Sequence, residues 1–191
     1  LEKKGFLLVD SGATYMDGTT DITRTYPLGE LTEDEKRFYT WTLQSHIDLA
    51  RAVWLDYCEC KMIDTIAREP LWRHLINYRC GTGHSVSFVG NVHEGPHALN
   101  SRNTTRMRPG MVVTDEPGVY ETDLVGIRIE NELVCIHKAD NQYGTFLGFE
   151  PLTFVPIATS PILPGVLDKD ELAWLNDYHR QVFAKLAPHL D

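Results

Sequence analysis

The sequence predicts an α+β fold from three observations. Strand-like apolar segments come in neighbouring pairs joined by turn residues, first at 6–10 and 21–26 around Asp17-Gly18. Helix-like segments lie apart from these pairs, at about 32–53, 62–75 and 168–186. No regular strand–helix–strand alternation runs through the chain, so hairpin-built sheets with separate helices are expected rather than a doubly wound sheet.

Residues 6–10, Phe-Leu-Leu-Val-Asp, read as a buried strand, and Asp17-Gly18 is a hairpin signal before the second strand. Thr32 with Glu35 makes a capping box that opens the first helix, with apolar positions Phe38, Trp41, Leu49 and Val53 in helical register. The second helix contains Pro70, which has no N–H to donate and is expected to kink or split it. The stretch Cys80-Gly81-Thr82-Gly83-His84 is a glycine-bearing turn that leads into an irregular strand ending near His93. Arg108-Pro109-Gly110 is a turn, 111–116 a strand, Pro117-Gly118 a turn, 127–137 a long strand and 149–157 another. Asp168 with Glu171 caps a last helix that reaches about Leu186.

With 191 residues, 42% hydrophobic and 24% charged, the chain has globular composition and can bury a core without disulfides. Its net charge of −9 argues against nucleic acid as a partner, because phosphate binding needs clustered cations. Cys58, Cys60, Cys80 and Cys135 include no Cys-x-x-Cys pair and read as free thiols of a reducing compartment. No apolar run approaches the ~20 residues that span a bilayer, and the opening apolar stretch is too short for a signal peptide. No membrane partner and a cytoplasmic location are expected. The chain opens almost inside a strand and without Met, which suggests part of a longer protein.

Candidate chemistry sits on acidic and histidine residues at strand ends. Asp10 closes the run Leu7-Leu8-Val9, where a carboxylate is costly to bury unless a cation meets it. Asp21 lies across the hairpin, and two neighbouring carboxylates repel unless a cation sits between them. Glu116 and Glu130 follow the apolar strands Val112-Val113-Thr114 and Ile127-Arg128-Ile129, and His84 sits in the glycine-flanked turn. Two Asp, two Glu and one His are mostly hard oxygen ligands, a set that suits two divalent ions. Taken singly, each has a plainer explanation: a turn aspartate, an exposed edge glutamate, a satisfied loop histidine.

Several motifs sharpen this reading. Val9-Asp10-Ser11-Gly12 and Thr20-Asp21-Ile22-Thr23-Arg24-Thr25 place the aspartates eleven residues apart. Gly81-Thr82-Gly83-His84, Thr114-Asp115-Glu116-Pro117-Gly118-Val119-Tyr120 and Gly126-Ile127-Arg128-Ile129-Glu130-Asn131 follow in order. Together these resemble the pita-bread metallopeptidases, the creatinase/aminopeptidase fold that includes methionine aminopeptidase, prolidase and aminopeptidase P. His93, nine residues after His84 in Asn91-Val92-His93-Glu94-Gly95-Pro96, resembles the long cytosolic-type aminopeptidase P, because the corresponding gap in prolidase and methionine aminopeptidase is shorter. The segments Glu150-Pro151-Leu152-Thr153-Phe154-Val155-Pro156-Ile157 and Trp174-Leu175-Asn176-Asp177-Tyr178-His179 are similar to that group as well.

The resemblance implies metal ligation by Asp10, Asp21, His84, Glu116 and Glu130, with two divalent ions, manganese first and cobalt or zinc as alternatives. It implies that Glu116 also shuttles the proton and that His93 binds substrate at the carbonyl oxygen. Arg128 alternates with Ile127 and Ile129, so it faces away from them and is expected to orient an aspartate ligand through an ion pair. The implied substrates are peptides with proline in second position. The rivals are prolidase, which requires a dipeptide, and a weakened pita-bread peptide-binding module.

Two departures stand out. Cys80 occupies the place of a substrate-holding histidine, which implies weaker activity, altered specificity or thiolate binding of metal. Only nine residues precede Asp10, so residues 1–191 are expected to be a C-terminal catalytic domain. Such a domain lacks its first helix and strands and the N-terminal domains of its parent. The isolated chain is expected to be inactive and prone to self-association, with a homodimer as one form.

Overall fold

The computed structural model describes residues 2–190. The chain opens with an antiparallel hairpin of β1 (Phe6–Tyr15) and β2 (Gly18–Pro27). Tyr15 pairs with Gly18, so Met16 and Asp17 form the turn, and Gly18 takes a φ of 150°, which favours glycine. Both strands outrun the apolar run, and the outer arm of β1 is largely exposed and needs no apolar residues. The register sets Asp10 opposite Thr23 and Gly12 opposite Asp21.

Helix α1 (Glu33–Ala50) begins at Thr32 with both halves of the capping box formed and with Glu33, Asp34 and Glu35 in its first turn, where the helix dipole favours negative charge. Its buried stripe is Tyr39, Leu43 and Ile47 rather than Phe38 and Trp41. Val53 lies beyond the helix, exposed on β3 (Val53–Leu55). Helix α2 (Cys60–Trp72) runs through Pro70 instead of splitting there. Pro70 is buried in the final turn, so its missing N–H costs one backbone bond in a helix about to end.

Two short strands, β4 (Gly83–His84) and β5 (Ala98–Leu99), pair around a long loop. The irregular strand expected up to His93 does not form. Glu94 N donates to Ser85 O and Ser87 N to Asn91 O, closing the segment on itself. The expected strand over 127–137 is two strands. β8 (Val125–Arg128) turns back on β7 (Gly118–Glu121), and β9 (Asn131–Asn141) pairs with β6 (Val112–Asp115). The break falls at Glu130, whose N–H donates to Thr23 O on the hairpin. The strand expected over 149–157 is β10 (Gly144–Pro151), and residues beyond it, including Pro156, join no ladder.

The largest sheet has the order β3-β10-β9-β6. Its apolar face, with Val113, Leu133, Leu147 and Phe149, packs on Cys60, Ile63 and Ala67 of α2. A second core joins α1, Ile127 and Ile129 to Ile157, Leu175 and Tyr178, the last two on α3 (Lys169–Leu186). The α+β expectation holds. Among the described residues, β1 pairs only with β2, which leaves its outer edge open, and no helix is long and apolar enough to cross a membrane.

Candidate metal centre

Strand alternation puts Asp21 and Thr23 on one face of β2, and the register adds Asp10 across from Thr23 on that face. Glu130 meets this face at the break between β8 and β9. Its Oε2 accepts from Thr23 Oγ1 at 2.6 Å, while Oε1 is buried without a partner.

His84 is the second residue of β4, just after the glycine-bearing turn. A Cβ on Gly83 would lie 2.7 Å from the Thr114 carbonyl carbon and overlap its oxygen, so only glycine lets the turn approach β6 this closely. His84 N then donates to Thr114 Oγ1 at 2.9 Å, and that hydroxyl donates to Glu116 Oε1 at 2.9 Å. His84 Nδ1 lies 3.2 Å from the Ser85 carbonyl oxygen. A carbonyl only accepts, so Nδ1 carries a proton and Nε2 points inward, the nitrogen left free to ligate once deprotonated. Nε2 lies 3.1 Å from Glu116 Oε1 and 3.4 Å from Asp21 Oδ2.

With Nε2 deprotonated, as a metal ligand requires, these facing atoms are all acceptors. Donor atoms of Asp21, His84 and Glu130 fall within 4.8 Å of one another. Burial pushes Glu130 up to about 8, and the nearby Glu116 charge adds to the shift. Burial would lower His84, but hydrogen bonds to Asp21 and Glu116 outweigh it and lift the ring to about 10. The cluster therefore takes up protons when it has no other cation. One imidazole among carboxylates, with an orphaned buried oxygen, fits a divalent metal ion.

Asp10 lies outside this tight group. Its half-exposed carboxylate accepts from Arg128 Nη2. Arg128 Nε donates to Thr23 Oγ1 at 2.9 Å and lies 3.8 Å from Glu116 Oε2, while Nη1 donates to the Tyr120 hydroxyl. The guanidinium thus links Asp10 to the Glu116 side of the cluster. His93 is exposed on the loop, its ring 4.0 Å from that of His84 at an interplanar angle of 69°. Cys80 faces the Glu116 and Arg128 side of the cluster, with Sγ 3.7 Å from Gly118 O. Desolvation raises its thiol, opposing the thiolate form that a metal would need.

Sequence reasoning missed several supporting residues. Arg24 is 3% exposed and ties the hairpin to Glu130 and Asn131. Asp64 and Arg68 on α2 hold the His84 turn: Asp64 accepts from Thr82 Oγ1, and Arg68 donates to Tyr78 O and Cys80 O at 2.8 and 2.9 Å. Their spacing of four on a helix was a legible ion-pair signal. Buried Glu132, two residues past Glu130, could have been found by strand alternation.

Residues 1–137 match the profile of metallopeptidase family M24, and residues 145–191 match the C-terminal region of peptidase M24. Aminopeptidase P2 of Arabidopsis thaliana is 44% identical over 197 residues, covering 100% of this chain and 28% of its own length. Aminopeptidase P1 of Lotus japonicus is 43% identical over 196 residues, with 100% and 30% covered. The chain thus spans less than a third of these relatives. Among solved structures, X-prolyl aminopeptidase from Caenorhabditis elegans, described as a cytosolic enzyme with a di-nuclear active site, superposes with a TM-score of 0.90 at 40% identity, over 96% of this chain and 30% of that one. Prolidase from Pyrococcus furiosus superposes with a TM-score of 0.67 at 28% identity, over 78% and 41%. With both of its sequence regions matched and the pita-bread architecture shared, the chain belongs to metallopeptidase family M24.

Proposed function

We propose that this chain is the metal-binding core of an aminopeptidase that releases the first residue from peptides with proline in second position. The observation that carries the reading is His84, whose Nε2 faces Glu116 and Asp21 beside an unpartnered Glu130 oxygen. The relatives named aminopeptidase P support the substrate class.

Asp10, Asp21, His84, Glu116 and Glu130 are the proposed ligands of two divalent ions, manganese first and cobalt or zinc next. When bound, the ions supply Lewis acidity toward the scissile carbonyl and lower the pKa of water. The chain's own groups do the rest. Glu116 takes a proton from the attacking water and delivers it to the proline nitrogen as the amide breaks. His93, packed on the His84 ring at the rim, donates to the carbonyl oxygen as charge develops there. Arg128 holds Asp10 in its ligating position by a direct hydrogen bond.

The test is elemental analysis and turnover of the metal-reconstituted full-length protein. Up to two ions per chain and cleavage of Arg-Pro-Pro but not Arg-Ala-Ala are expected. Unchanged metal content in the Asp10→Ala, Glu130→Ala double variant would misplace the site. Efficient cleavage of Arg-Ala-Ala would point to a broad aminopeptidase.

A further inference from the structure

A cavity of about 740 Å³ opens between the tip of the β1–β2 hairpin and the loop that follows His84. It lies beside the metal-binding cluster, with Glu132 close enough for Asp21 and His84 to act on its carboxylate, although none of the five proposed ligands lines it. Thr20 precedes Asp21, Ser85 follows His84 and Glu132 lies two residues past Glu130, and all three line the cavity. Glu132 stands opposite Thr114 in the β6–β9 ladder, and Thr114 is the residue that holds His84 N and Glu116. Cross-strand partners share a sheet face, so Glu132 projects on the side of the cluster.

The polar lining is one-sided. His97 and Glu132 are 6% and 7% exposed. His97 Nε2 lies 2.7 Å from the Val112 carbonyl oxygen, so Nε2 carries the proton and Nδ1 is left as an acceptor. That Nδ1, Glu132 Oε1 and Ser87 Oγ are all buried without partners. Asp17 adds a second carboxylate at the hairpin tip, and no Lys or Arg lines the cavity among the described residues. Ser87 Oγ can donate as well as accept, but His97 Nδ1 and Glu132 Oε1 only accept; leaving them unpaired is costly, and a cation rich in donors, an ammonium or guanidinium, satisfies both and the carboxylate charge. Met111 and Leu152 supply apolar wall for a methylene stem, and exposed Phe88 stands at the rim.

We propose that this cavity receives the side chain of the substrate's first residue and selects lysine or arginine there, with Glu132 as its counter-ion. The proposal rests on the aminopeptidase reading and adds the identity of the released residue. The scissile carbonyl belongs to the first residue and must sit at the cluster, so that residue's side chain is the part of the substrate within reach of the neighbouring cavity. Proline in second position has no charge to offer the acceptors. The volume also exceeds what a peptide α-ammonium alone would fill.

The test measures kcat/KM of the metal-loaded full-length protein on Lys-Pro-Pro, Arg-Pro-Pro and Leu-Pro-Pro. The cationic peptides are expected to exceed Leu-Pro-Pro by about tenfold or more, the scale of one charge-assisted hydrogen bond. In Glu132→Gln the Lys-to-Leu ratio should fall by about tenfold, and in Ser87→Ala by about threefold. Using the ratio cancels any change in metal loading common to both peptides. A wild-type ratio near one, or a ratio unchanged in Glu132→Gln, overturns the proposal. So does an equal loss on all three peptides, which would assign Glu132 to the α-ammonium. If no proline peptide is cleaved, the aminopeptidase reading fails separately, and calorimetric titration with lysinamide and norleucinamide decides the cavity. Tighter lysinamide binding that Glu132→Gln abolishes supports it, and equal binding overturns it.

Discussion

Arg24 on β2 donates from Nη2 to the hydroxyl of Tyr178 on α3 at 2.9 Å, joining residues 154 positions apart. The same nitrogen donates to Asn131 Oδ1 and Val155 O, each at 2.7 Å, and Nε donates to Pro156 O at 3.1 Å. Nη1 donates to Thr23 O at 2.9 Å and to Glu130 O. One guanidinium thus fastens the hairpin that carries Asp10 and Asp21 to the Glu130 segment and to the C-terminal helix.

Removing it strands several buried acceptors at once. Arg24→Met is expected to destabilise the protein by about 3–5 kcal/mol in urea unfolding, because each unpaired buried group costs about 1–3 kcal/mol. Tyr178→Phe, which keeps the ring stacked on Trp174, should cost about 1–2 kcal/mol. Metal affinity should fall with Arg24→Met as Glu130 loses its backbone anchor. A cost under about 1 kcal/mol for Arg24→Met would show that water replaces the fan of bonds.

Gly83 tests the close approach behind His84. In Gly83→Ala the new methyl meets backbone of Thr114, which cannot rotate away. A loss of about 1–3 kcal/mol is expected from overpacking, with reduced metal content as His84 shifts. Gly126→Ala is the control, since its Cβ would meet only Tyr120 Cδ1 at 3.7 Å, an ordinary contact. Thermal unfolding and elemental analysis of both variants decide the point; equal behaviour would remove the steric argument.

Cys80 is held through its backbone, since Arg68 Nη2 donates to its carbonyl at 2.9 Å whatever the side chain. Cys80→His should therefore leave stability within about 0.5 kcal/mol. On Arg-Pro-Pro the full-length variant is expected to gain about tenfold in kcat/KM, the scale of one added donor near the reacting carbonyl. An unchanged rate with intact folding would mean that this position takes no part in catalysis.

Asp48 gives a pH test away from the metal cluster. Burial, with the Glu171 charge adding, raises its carboxyl from 3.8 to about 6, although Arg51 opposes the shift. A raised folded pKa means that the native state binds the proton more tightly. The stability from this group is fully present below 3.8 and is lost as pH rises to about 6. Asp48→Asn should therefore exceed the wild type at pH 7 by about 1–3 kcal/mol, the worth of a shift of this size. The two should converge toward pH 4, as read by urea midpoints across the range. A gap independent of pH would rule out titration of Asp48 as the cause.

The sequence by itself determined the local devices. Thr32 with Glu35 and Asp168 with Glu171 form their capping boxes where the spacing put them, and the hairpin turns one residue before the expected Asp17-Gly18, at Met16-Asp17 with Gly18 opening β2. These signals are legible because their partners lie within three residues or across one turn, where chain geometry alone brings them together. The candidate ligands were legible for a related reason: a carboxylate ending an apolar strand is costly without a cation to meet it.

Only the tertiary structure decided which candidates touch. Asp21, His84 and Glu130 converge, while Asp10 is held on Arg128. It also broke the long strand at Glu130, because that residue's N–H bonds to Thr23 O and its side chain to Thr23 Oγ1, 107 positions away. Arg24, Glu132 and His97 acquired their places in the same manner, through partners supplied by other strands and helices. Packing of remote segments sets such contacts, and no spacing along the chain encodes them.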